Sequence, residues 1–144
     1  MSTTKKNIIF VLILLAAVTL FMMLRGDYSI ELNLEDSILT VDGPEGFLFS
    51  ADLAQLESIS YSEEVEVGAC ISGGEKYGYR YGTWENNEFG QYQLCARTKS
   101  TGHIVLVTVN GEILAFNVED NDTTQEFYRA LKQLMSEEGY AAAA

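Results

Sequence analysis

One histidine, two cysteines and one proline are all that this chain of 144 residues offers of three residue types that usually mark chemistry or punctuation. With His103 alone, a zinc site built on neutral imidazoles is excluded, and its place at the start of the run HIVLVTV fits a strand edge better than a ligand. No CxxC or Cys/His spacing occurs, so Cys70 and Cys95 are either one disulfide, if the compartment is oxidising, or two reduced core residues. No GxSxG or SxxK is present and neither cysteine has a basic neighbour in sequence, so an activated nucleophile has no partner set. A hydrolase built on two carboxylates stays open, because pairing in space is not visible in one sequence. The glycines of SGGEKYGYRYG make neither a GxxxxGK[ST] loop nor a strand-turn-helix GxGxxG. The expectation is a protein that is not an enzyme and takes no cofactor and no metal.

Basic charge is also scarce, nine Lys and Arg against 21 Asp and Glu. All 21 acidic residues follow residue 25, against six basic ones there, so that part carries a formal charge of −15, the difference of those two counts. Such a surface repels phosphate backbones and anionic lipid headgroups, and no nucleic-acid partner is expected. The carboxylate groups are Glu63, Glu64 and Glu66, and residues 119–122. A calcium loop starting at Asp120 fails, since its sixth and twelfth places hold Gln125 and Leu131. Asp122 and Thr123 are better explained as the start of a helix, with Thr123 and Glu126 as a capping box.

What is present is uneven. Residues 8–24, IIFVLILLAAVTLFMML, are uncharged and nearly all apolar, and at 1.5 Å per residue they span about 26 Å, close to the hydrocarbon thickness of a thin bilayer. No small-x-small cleavage site follows the run, so an uncleaved signal anchor is favoured over a cleaved peptide. Lys5 and Lys6 before it place the N-terminus in the cytoplasm and the rest of the chain on the extracytoplasmic side of the cell membrane, a single-pass arrangement. The expected layout is 1–7 cytoplasmic N-terminus, 8–24 transmembrane anchor, 25–27 linker, 28–137 one folded domain and 138–144 a loose tail without an anchor.

The 47% apolar content and the single proline favour a folded domain over a disordered tail. Its runs are short and divided by turn residues: YSIELNL and SILTV as a first hairpin, DGPEG as a turn, then GFLFS, LESISYSEEVEV, GYRYG and GQYQLCART. HIVLVTV and EILAFNV flank Asn110 and Gly111, a type I′ hairpin signal. Phe127, Ala130, Leu131, Leu134 and Met135 then recur at helical spacing and form an apolar stripe that must cover a sheet. The fold class is therefore mainly β, about seven strands, with one C-terminal α-helix.

The second half resembles the bacterial pleckstrin-homology-like (PH-like) domain family. The residues that carry the likeness are Arg80, Gly82, Gly90, the two apolar strands ending in Phe116 and Asn117, and Thr124, Phe127 and Leu131 in the helix. The resemblance implies a curved sheet or partly open barrel capped by the helix, and a membrane-anchored interaction or scaffolding module that works with another envelope or membrane protein. It does not extend to phosphoinositide binding, because residues 28–41, the first hairpin, contain no Lys or Arg.

The aromatic stretch YGYRYGTWENNEFGQYQLC, residues 77–95, admits two readings. In the first it is architectural: Tyr77, Tyr79 and Tyr81 alternate with Gly78, Arg80 and Gly82, so one strand face carries rings and the other is bare enough for close backbone approach. Arg80 then braces the TWENNEFG corner. In the second, Tyr77, Tyr79, Arg80, Tyr81, Trp84 and Phe89 form a patch that binds cell-envelope glycan or peptide.

Overall fold

The computed structural model describes residues 3–25 and 28–140, with the side chains of residues 3, 4 and 18–25 outside the described set. It is mainly β: helix α1 (Thr3–Arg25) precedes nine strands, and helix α2 (Asn121–Glu137) follows them. Residues 26 and 27 of the expected linker, and 141–144 of the expected tail, lie outside the described residues.

Strands β1 (Glu31–Glu35), β2 (Ile38–Asp42) and β3 (Leu48–Asp52) form a small antiparallel sheet in that order. The large sheet contains β4 (Leu56–Ser62), β5 (Ala69–Lys76), β6 (Tyr79–Asn86), β7 (Gly90–Arg97), β8 (His103–Thr108) and β9 (Ile113–Phe116). Its spatial order is β4-β8-β9-β7-β6-β5. Every pairing is antiparallel except β7 with β9, which run parallel.

The small sheet and α2 cover one face of the large sheet. That face alternates inward as Cys95, Leu106, Ile104, Leu114 and Phe116, and it packs with Leu39, Val41, Leu131 and Met135 into the main core. The other face presents Trp84, Tyr92, Leu94, Ala96, Val105 and Ala115 as a second cluster, closed by Val65. Val65 belongs to residues 63–68, which run from β4 at one edge to β5 at the other and so must cross the whole face. Six strands set about 24 Å between the edges, and the seven Cα steps from Ser62 to Ala69 reach about 23–25 Å. A flat sheet of that width would leave the strap almost no slack. Tyr92 donates from Oη to the Val67 carbonyl at 2.7 Å, and the Asn86 Nδ2 donates to the Glu66 carbonyl at 2.7 Å, which seats the strap.

Four local expectations are corrected. The segment LESISYSEEVEV is strand only to Ser62, and Glu64 and Glu66 stand exposed on the strap rather than on the wet face of a strand. Asn110 and Gly111 do not make a type I′ turn: Asn110 lacks positive φ, and a four-residue link is closed by Thr108 N–H donating to the Glu112 carbonyl at 2.9 Å. The two-residue turns with both φ positive are Asp36-Ser37 (51° and 65°) and Tyr77-Gly78 (50° and 81°). The α2 cap is Asp120, whose carboxylate accepts from Thr123 N–H at 2.7 Å and is thereby held below the usual carboxylate range. Finally, Tyr140 is anchored: its N–H donates to the Met135 carbonyl at 2.9 Å and its hydroxyl lies 2.7 Å from Ser37 Oγ, so the chain is pinned three residues beyond α2.

Candidate functional site

The aromatic stretch is divided by the sheet. Tyr79 and Tyr81 lie opposite Arg97 and Cys95, on the main-core side; Tyr79 is buried and Tyr81 packs against the core. Arg80 and Trp84 lie opposite Ala96 and Tyr92, on the strap side. Trp84 is buried, with its indole N–H donating to the Tyr81 carbonyl at 3.1 Å. Phe89 sits in the β6–β7 turn with its ring centroid 5.2 Å from that of Tyr92, and only Tyr77, at the opposite end of β6, is largely exposed. The six residues expected as a patch therefore do not share a surface. Gly82 allows the close approach the alternation suggested: it faces Gly73, and a Cβ at either would lie 2.1–2.2 Å from a carbonyl oxygen of the opposite strand. Arg80 does not brace the turn. Its guanidinium lies 3.5 Å from the Glu75 carboxylate directly across β5, tying the edge strand to β6.

Cys70 and Cys95 are free thiols. Cys70 is exposed opposite Trp84 on the strap side, whereas Cys95 is buried on the other side, so the sheet lies between them and the disulfide alternative is not the one this fold builds. Burial pushes the Cys95 thiol up to about 12, with Asp42 adding to the shift, which makes it a poor nucleophile. His103 is buried at 3% exposure, its Nδ1 2.8 Å from the Thr101 carbonyl and its Nε2 without a hydrogen-bond partner among the described residues. Desolvation holds its pKa below the usual imidazole range. Among the described residues, no three His, Cys, Asp or Glu side chains converge as a metal would require.

Sequence reasoning missed a groove of about 480 Å³ beside the free edge of β3. Leu48, Phe49 and Ser50 of β3 form one wall; Thr83, Gln91, Tyr92 and Gln93 of β6 and β7 form the floor; Gly111, Glu112 and Ile113 close one end. β3 pairs only with β2, so its outer edge faces the groove without a strand partner. Gln93 Nε2 donates to Thr83 Oγ1 at 2.9 Å, Ser50 Oγ lies 3.2 Å from Thr40 Oγ1, and Leu48 is 65% exposed at the lip. Glu112 is the one ionisable side chain among the lining residues apart from Tyr92, whose phenol burial pushes up to about 12. Amides, hydroxyls and a bare strand edge can hydrogen-bond an extended backbone, and an apolar lip can take a side chain. They supply no acid, base or nucleophile pair. No sequence motif marks these residues, since each reads as the wet face of an ordinary strand.

A second hollow, about 490 Å³, is lined by Tyr61, Glu63, Glu64 and Thr101 with Asn121, Asp122 and Gln125 from the start of α2. Asn121 is engaged there, its side-chain oxygen accepting from Gly102 N–H at 2.9 Å. Among the described residues, no helix is long and apolar enough to cross a membrane; residues 18–24 of the apolar run fall where side chains are not described. Comparison of the chain with protein-family models, with curated proteins and with solved structures gives no match.

Proposed function

We propose that this protein is a non-catalytic, membrane-tethered interaction module, with α1 as a single-pass signal anchor and the β domain held on the extracytoplasmic side as a scaffold for another envelope or membrane protein. The observation that carries the reading is the free edge of β3 beside a polar groove, a geometry suited to adding an extended segment of a partner as a further strand. For the anchor, the support is that the described apolar side chains from Ile8 to Leu14 are 44–67% exposed, within a 23-residue helix that two lysines enter. At 1.5 Å per residue that helix is about 34 Å long. A six-stranded sheet with an amphipathic C-terminal helix packed on one face supports a PH-like architecture, although the parallel β7–β9 pairing departs from an up-and-down order. The module takes no cofactor, no nucleic acid and no phosphoinositide. Of the glycan-or-peptide alternative, the peptide half fits the groove, while a ring platform for sugars is split across two faces.

Two experiments test this. Protease added to intact protoplasts is expected to remove the β domain and leave α1 in the membrane; a protected domain reverses the orientation. A photo-crosslinking residue at Leu48 is expected to capture one defined partner that the same residue at exposed Ala130 on α2 does not, and Gln93→Ala with Leu48→Lys is expected to abolish the capture. Equal capture at both positions, or turnover of a substrate by the purified chain, overturns the reading.

A further inference from the structure

Four of the six cations that follow α1 are gathered rather than spread, the other two, Arg129 and Lys132, lying on α2. Lys76, Arg80, Arg97 and Lys99 all belong to one corner of the large sheet, where the register places Lys76 opposite Tyr79 and Tyr79 opposite Arg97. Thr98 N–H donates to the Gly78 carbonyl at 2.8 Å and ties the chain after β7 to the β5–β6 turn. At the tip of that turn Tyr77 is 68% exposed with φ of +50°, in the left-handed region where Asn, Asp or Gly is the ordinary choice. The Tyr28 ring stands edge-on to Tyr77 at 4.7 Å and 6.5 Å from Tyr79. Lys76 Nζ is 5.7 Å from the Tyr77 ring, and the Arg97 guanidinium is 5.5 Å from the Tyr79 ring.

Carboxylates temper this corner: Glu75 pairs with Arg80, Glu45 accepts from the Tyr28 hydroxyl, and Glu31 and Asp42 face each other where β1 begins. The result is a near-neutral aromatic corner on a domain whose acidic excess lies elsewhere. Tyr28 is also the third residue after Arg25, the last of α1. Three residues reach at most about 11 Å, and the headgroup layer adds about 5–7 Å on each side of the hydrocarbon. Wherever α1 leaves a bilayer, Tyr28 and the ring stacked on it are kept at or just above the headgroups. Tyrosines with basic neighbours are what that layer favours.

We propose that this corner is a membrane-seating foot: Tyr28 and Tyr77 lie at headgroup level, and Lys76, Arg97 and Lys99 approach the phosphates of the same bilayer. The proposal rests on α1 being an anchor. It also leaves the β3 groove clear, since Gln91 and Gln93 lie six and four residues back along β7 from Arg97, about 13–20 Å from the foot.

The test uses the full chain in vesicles of phosphatidylcholine and phosphatidylglycerol containing shallow-brominated lipid. Tyr77→Trp and, at the opposite end of the sheet, Val109→Trp are each compared with the wild-type emission of buried Trp84. All three chains are expected to float with the vesicles, and Tyr77→Trp is expected to be quenched about threefold more strongly than Val109→Trp, as for a ring in the interfacial layer. In the wild-type chain an amine reagent should label Lys76 and Lys99 less in vesicles than in detergent, with Lys132 on α2 unchanged. Flotation with equal quenching and equal labelling defeats the foot but keeps the anchor, and leaves a protein partner as the occupant of the corner. Failure to float defeats the anchor and the foot together.

Discussion

The two faces of the six-stranded sheet are buried by different means. On one, a second sheet and a helix stand off far enough for large side chains, and Phe116, Leu106, Ile104, Leu114 and Met135 are fully enclosed. On the other, a single strap lies against the strands, and the cluster beneath it is Trp84, Tyr92, Leu94, Ala96, Val105 and Ala115. The contrast between the faces is the thickness of the covering layer. It predicts that the first face sets global stability while the second is a thin lid fastened by few groups.

The sharpest way to break that contrast is to remove volume on each side in turn. Phe116→Ala is expected to cost about 3–5 kcal/mol, lowering the urea midpoint with an unchanged slope. Val65→Ala, the strap's own contribution to the second cluster, is expected to cost about 1–2 kcal/mol. Equal costs would mean one cooperative core and no lid.

Acid sharpens the comparison further, because His103 lies on the strap side, in register with Ser62 and two residues from Val105. Its folded pKa is depressed by burial, and Arg80 also disfavours the charged ring. Below the unfolded value near 6.5 the unfolded chain therefore binds the proton first. Stability is complete above that pH and falls as pH drops through it toward the folded pKa, by at most about 1.4 kcal/mol per unit. Denaturation curves between pH 7.5 and 5 should show this slope in wild type and a flatter one in His103→Gln.

The smallest effect is expected at Arg80. Its side chain is 27% exposed and that of Glu75 is 53% exposed, so Arg80→Ala should cost under about 1 kcal/mol, with amide exchange on β5 rising before the global midpoint moves. A loss of several kcal/mol would show that β5 is part of the stable core.

Much of this was visible in the residues. Short apolar runs divided by turn residues located β1, β2, β3, β8 and β9, and helical spacing from Phe127 to Met135 located α2 and the stripe it packs on the core, of which Ala130 alone stands exposed. Strand β5 was not visible because ACISGGEK is an edge: with no face buried, there is no alternation to read, and its glycines serve the backbone contact with β6. The cap was misplaced because Asp120, Asp122 and Thr123 all suit it, and only the chain's entry angle chooses among them. The groove was invisible for a different reason. Ser50, Thr83, Gln91 and Gln93 come from three strands, and their convergence depends on how the small sheet is laid over the large one.

The parallel pairing of β7 with β9 has a consequence for how the chain is made. β4 finds its partner β8 only after the intervening strands have emerged, Leu56 pairing with Thr108 some 52 positions later. Until then β4 and β7 each present an open edge, and the cluster under the strap lacks Val105 and Ala115. The small sheet and the β5–β6–β7 meander involve only near neighbours and can form as the chain appears. The β8–β9 hairpin is then the last piece, inserted between two strands already waiting for it. Such late, long-range closure is slow relative to hairpin formation. During synthesis, the vulnerable interval runs from the appearance of Arg97 to that of Phe116, and a chain stalled there would expose two sheet edges to any other strand nearby.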